Sequence, residues 1–70
     1  SAEYAIMKAA DRLAAYIKCL EELRSGNREF AKAKQSIEDD LHSRNMPEVE
    51  YFFEKFIKSF ELTLDELEGL

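Results

Sequence analysis

The chain has 70 residues, 46% of them hydrophobic and 36% charged, with two glycines, one proline and a net charge of -5. So short a chain buries only about 60% of its unfolded surface, which allows at most one small domain, and this composition reads as an ordered all-α segment rather than disorder or a sheet. Residues 46–70 carry seven acids against Lys55 and Lys58, so no basic stripe exists to bind a nucleic-acid polymer. No apolar run approaches the roughly 20 residues needed to cross a bilayer, and the lone Cys19 excludes an internal disulfide and suits a reducing, cytoplasmic setting.

The first helix is expected over residues 3–24. At 100° per residue Ala2, Ile6, Ala9, Leu13, Ile17 and Leu20 form one stripe, the natural core face. Asp11 lies roughly opposite, with Tyr4, Met7, Ala14, Ala15 and Lys18 as its helical neighbours. That second face is small and apolar as well, so the helix has two packing surfaces and belongs in the middle of a structure. The rest of the chain can cover only one of them.

Ser25-Gly26-Asn27 supplies a stop and a start: Gly26 suits the left-handed position after a helix, and Asn27 is the expected N-cap of a second helix over 28–44, with Glu29 in its first turn. Phe30, Ala33, Lys34, Ile37 and Leu41 trace that helix's sparser inner face. Arg44-Asn45-Met46-Pro47 ends it, because the residue before proline avoids the α region while proline suits the first position of a helix. A third helix is expected over 47–60, where Val49, Phe52, Phe53, Phe56, Ile57 and Phe60 share one face that should be buried. Glu48 and Glu50 near its start and Lys55 and Lys58 near its end complement the helix dipole. Thr63-Leu64-Asp65-Glu66 reads as a capping box for a last short helix over 64–68, closed by Gly69.

The run Lys8-x-Ala10-Asp11-x-Leu13-x-Ala15-Tyr16-x-Lys18-Cys19-Leu20-Glu21-Glu22-Leu23, with Asn27-Arg28-Glu29-Phe30, Tyr51-Phe52 and Ser59-Phe60-Glu61-Leu62-Thr63-Leu64-Asp65-Glu66, resembles the C-terminal third of the bacterial HD-domain 5'-deoxynucleotidases over residues 3 to 67. The resemblance implies a helical, metal-dependent phosphohydrolase that converts deoxynucleoside 5'-monophosphates to nucleoside and phosphate. Its metal is held by a His, an adjacent His-Asp pair and a distant Asp. Asp11 matches the distant Asp. The only histidine, His42, is followed by Ser43, so the remaining ligands are missing. The chain, which opens Ser1-Ala2 without a methionine, is therefore expected to be a piece of such an enzyme, the C-terminal portion of a larger HD-domain fold without its HD motif. It is expected to be inactive alone and to hold no metal tightly.

Pattern alone leaves Asp11 as a solvated carboxylate paired with Arg12, Lys8 or Lys18, a surface pair worth about 0–1 kcal/mol. The resemblance instead implies a ligand to cobalt, manganese, magnesium or zinc, whose chemistry suits mixed carboxylate and imidazole donors. No residue of this chain is expected to be a nucleophile or proton donor in the reaction. Lys8, Arg12 and Lys18 read first as solvated charges, with an approach to a substrate phosphate as the other possibility. In Glu38-Asp39-Asp40-Leu41-His42 the spacing would permit a second metal site, but no second carboxylate and histidine pair exists, so a solvated helix end with His42 near the C-terminal dipole is expected. Cys19 reads as a buried thiol. A homo-oligomer is expected, because the second face of the first helix would otherwise stay uncovered. The alternative reading is a stand-alone helical interaction or dimerisation module whose aromatic third helix binds a partner and whose Asp11 is incidental.

Overall fold

The computed structural model describes residues 1–59, and it is all-α: α1 (Ala2–Arg24), α2 (Phe30–Ser43) and α3 (Pro47–Phe52), the last continued by a π turn (Phe53–Ile57). No strand occurs among the described residues. Phe60 and the short helix expected over 64–68 lie outside them.

The two ends of α1 are closed locally. Ser1 Oγ accepts the Tyr4 N–H at 3.2 Å, a cap of the kind that contributes about 1 kcal/mol. At the other end Asn27 N–H bonds the Glu22 carbonyl and Gly26 N–H bonds the Leu23 carbonyl, each at 3.0 Å, with Gly26 at φ +98°. This crossed pair of bonds is a Schellman motif, and the positive φ it needs is why glycine stands there. Asn27 does not cap α2 as the sequence suggests. Its side-chain amide donates to the Glu22 carboxylate, while its carbonyl accepts the Phe30 N–H at 3.2 Å, so Asn27 finishes α1 and α2 starts at Phe30 without a side-chain cap.

The second turn follows its sequence signals. Asn45 takes φ +52°, Met46 is extended at φ -103° and ψ 122°, and Pro47 opens α3. Arg44 Nε bonds Asp40 Oδ2 at 3.1 Å across the last turn of α2.

The core consists of Ala9 and Tyr16 from α1, Leu41 from α2, Val49 from α3 and Ile57 from the π turn, with Leu13, Leu20, Ile37, Met46, Phe52 and Phe53 packed around them. Tyr16 is 1% exposed and sits at its centre. Its ring meets Phe53 edge-on at 5.2 Å, and its hydroxyl donates to Glu38 Oε2 at 3.3 Å. The covered arc of α1 therefore runs through Ala9, Leu13, Tyr16 and Leu20. Ile6, on the flank of the expected stripe, is 52% exposed. Cys19 is buried, as expected of it, because three residues along a helix place it only about 60° round from Tyr16, still inside the covered arc.

The third helix departs most from expectation. Lys58 N–H reaches back to the Phe53 carbonyl, a five-residue step that winds fewer degrees per residue than an α turn. Ile57 consequently returns over Phe53 to the core, while Phe56 stops short of it. Phe56 is 52% exposed and stacks on Phe52 at 5.1 Å. The expectation of a wholly buried phenylalanine face fails at this residue.

Candidate functional site

Asp11 stands in the middle of α1, exposed, on the side away from Tyr16 and α2. The same face leaves Tyr4 60% and Met7 68% exposed, with Ala14 also open and Ala15 half-buried. Among the described residues Asp11 forms neither an ion pair nor a hydrogen bond. The pairing with Lys8, Arg12 or Lys18 that pattern alone suggests is not made: the Lys8 ammonium lies 5.9 Å from the centre of the Tyr4 ring instead, a cation–π arrangement one turn towards the N-terminus.

The position is nevertheless a firm one. Capping at Ser1, the Schellman closure at Gly26 and the anchorage of Tyr16 hold α1 as a single rod, so the Asp11 carboxylate projects from a fixed point. Ala10, Ala14 and Ala15 beside it have little bulk, which lets another helix approach closely. Nearby, Ile6, Ala9, Ala10, Leu13, Met46 and Val49 line an apolar groove between α1 and the start of α3. The first half of α1 is thus open on two sides.

No three His, Cys, Asp or Glu side chains among the described residues are placed to hold a metal ion together. Asp11 fits such an ion by donor type, since carboxylate oxygens suit hard and borderline divalent cations, but one carboxylate is one ligand. His42 does not join it. Its Nδ1 lies 2.9 and 3.0 Å from the two Glu50 oxygens, and its ring stacks on Phe53 at 4.5 Å.

The acidic run on α2 is likewise spent on helix neighbours and the core. Glu38 accepts the Tyr16 hydroxyl and lies 3.6 Å from Lys34 Nζ. Asp39 accepts from Gln35 at 3.0 Å, and Asp40 holds Arg44. The Glu38/His42 and Asp39/His42 spacings produce no hydrogen bond or ion pair among the described residues. Two pairings escaped the sequence reading, Tyr16 with Glu38 and His42 with Glu50; the second joins residues eight apart across a turn and leaves no helical signature.

A family model described as 5'-deoxynucleotidase YfbR-like matches residues 1–60. The chain is 57% identical over 65 residues to a 5'-deoxynucleotidase of Photobacterium profundum, covering 93% of this chain and 34% of that protein. It is 55% identical over 62 residues to one of Vibrio parahaemolyticus (89% and 32%) and 54% identical over 66 residues to one of Erwinia tasmaniensis (94% and 33%). It spans about a third of the length of these curated relatives.

Proposed function

The chain belongs to the YfbR-like 5'-deoxynucleotidase family, and from that membership we propose that it forms the C-terminal helical part of an HD-domain phosphohydrolase in which Asp11 is the distal metal ligand. The substrate class is the deoxynucleoside 5'-monophosphate, and the bond broken joins phosphorus to the 5' oxygen, giving nucleoside and phosphate. The observation that carries this reading is a carboxylate left exposed and without a partner among the described residues, on a helix whose other side is locked into a core.

A divalent ion in such a centre supplies Lewis acidity towards a phosphoryl oxygen and makes a nearby water more acidic. Asp11 contributes negative charge and a fixed oxygen donor, and it takes no covalent part. The alanines around it admit the helices that carry the remaining ligands, and the open face of Tyr4, Met7 and Ala14 packs against them or against a second copy. The enzyme works in the cytoplasm. No helix among the described residues is long and apolar enough to cross a membrane.

The test has two parts. The 70-residue chain, incubated with a deoxynucleoside 5'-monophosphate and cobalt or manganese, should release no phosphate above blank; metal-dependent turnover by the pure chain would overturn the proposal. In a full-length enzyme carrying these residues, Asp11→Ala should abolish metal-dependent phosphate release while leaving the helical circular dichroism unchanged.

A further inference from the structure

Three cations of α1 stand close to Asp11 in sequence, Lys8, Arg12 and Lys18, and among the described residues none of them forms an ion pair. Helix geometry gives them different places. At about 100° per residue Arg12 stands roughly a quarter turn round from Asp11. Lys8 is one turn towards the N-terminus and about 60° round, whereas Lys18 is two turns towards the C-terminus and only about 20° round, nearly in line with the carboxylate. Between Lys18 and Asp11 this face carries only Ala14, exposed, and Ala15, half-buried.

Side chains on an α-helix lean towards its N-terminus and cover the preceding turn. That lean separates the two lysines. It carries Lys8 away from Asp11, and the Lys8 ammonium lies 5.9 Å from the centre of the Tyr4 ring. It carries Lys18 towards Asp11, over alanines too small to obstruct a flexible lysine stem. The acids one turn to the other side do not hold Lys18 back: Glu22 accepts the Asn27 amide, and Glu21 borders the groove that α1 forms with Phe56.

We propose that Lys18 is a phosphate-binding residue, its ammonium donating to an oxygen of the substrate's phosphoryl group at the centre to which Asp11 belongs. The assignment rests on Asp11 being a metal ligand. Charge supports it. A phosphate monoester carries about 1.5 to 2 negative charges at neutral pH and Asp11 adds another, so a single divalent ion leaves the assembly short of positive charge. About 10 Å of helix axis separates the α-carbons of Asp11 and Lys18, a span that the lean of the lysine stem and a bound phosphoryl group share. Lys18 forms no covalent bond and exchanges no proton; it binds and orients the phosphoryl group.

The test uses a full-length enzyme carrying these residues, loaded with cobalt, with inorganic phosphate as the probe and calorimetry to read both phosphate and cobalt binding. Lys18→Gln should weaken phosphate binding about tenfold, the worth of one charge-assisted hydrogen bond. It should raise KM for the deoxynucleoside 5'-monophosphate by a similar factor, with cobalt affinity and helical circular dichroism unchanged. Lys18→Arg, which keeps the charge, should recover most of the loss, and Lys8→Gln should change phosphate binding by less than about twofold. Unaltered phosphate affinity in Lys18→Gln would overturn the assignment, as would an equal loss in Lys8→Gln or a loss accompanied by weakened cobalt binding. Asp11→Ala in the same enzyme keeps two failures apart. Cobalt lost there, with phosphate binding intact in Lys18→Gln, removes the role of Lys18 alone; cobalt bound as before removes the metal reading and the role of Lys18 with it.

Discussion

The two sides of α1 are made of similar residues and end in opposite states. One side carries Ala9, Leu13, Tyr16 and Leu20 into a core where Tyr16 keeps 1% of its surface and its hydroxyl finds Glu38. The other carries Tyr4, Met7, Ala14 and Asp11, a comparable mixture of aromatic, aliphatic and polar groups, and leaves them open. Apolar composition therefore does not decide which face of a helix is satisfied within its own chain; the reach of α2 and α3 does. An apolar face left uncovered is the kind of surface on which association occurs.

Substitutions on the two faces should separate along this line. The largest effect is expected for Asp11→Ala in a full-length enzyme: turnover should fall by orders of magnitude and metal binding should weaken, while the melting temperature holds or rises slightly because alanine has the higher helix propensity. Wild-type turnover in that variant would end the ligand assignment. Next, Tyr16→Ala should cost about 3–5 kcal/mol through the cavity it leaves, read as a lowered denaturation midpoint, without a selective change in metal affinity.

The open face offers a smaller effect. The 70-residue chain should sediment as a dimer or higher species that buries Tyr4, Met7 and Ala14, and Met7→Glu should weaken that association by about tenfold, some 1.4 kcal/mol. A compact monomer with a sharp cooperative melt would show that the face needs no cover. The smallest effect belongs to Phe56→Ala. With half its surface already in water, it should cost about 1 kcal/mol or less, against a much larger loss for Phe53→Ala beside Tyr16.

The contrast between Phe53 and Phe56 marks the limit of what periodicity can convey. Element order, both interhelical turns and the burial of Leu41 and Val49 follow from local signals: Gly26 at a left-handed position, Met46 extended before Pro47, apolar residues three and four apart. The placement of Asp11 opposite the core is equally a matter of spacing. What spacing cannot encode is a change of winding inside a helix, and the π turn at Phe53–Ile57 moves Phe56 out of the core although every local residue suits an α-helix. Nor can it encode pairings across turns. Tyr16, absent from the stripe expected for the first helix, is buried with its hydroxyl on Glu38, and Asn27 reads as a cap until Glu22 claims its amide. The role of Asp11 belongs to a third kind of information, carried by resemblance, because the groups it would act with are not beside it among the described residues.

The turn at Gly26 has a consequence of handedness. A methyl group built there in the L configuration would meet nothing within 4 Å, so space is not what reserves the position for glycine; the obstacle is the φ of +98° itself. The join between α1 and α2 is thus a demand on chirality alone. A mirror-image alanine introduced at residue 26 by chemical synthesis would satisfy it, and would remove from the unfolded chain a freedom that glycine must surrender each time the hairpin closes.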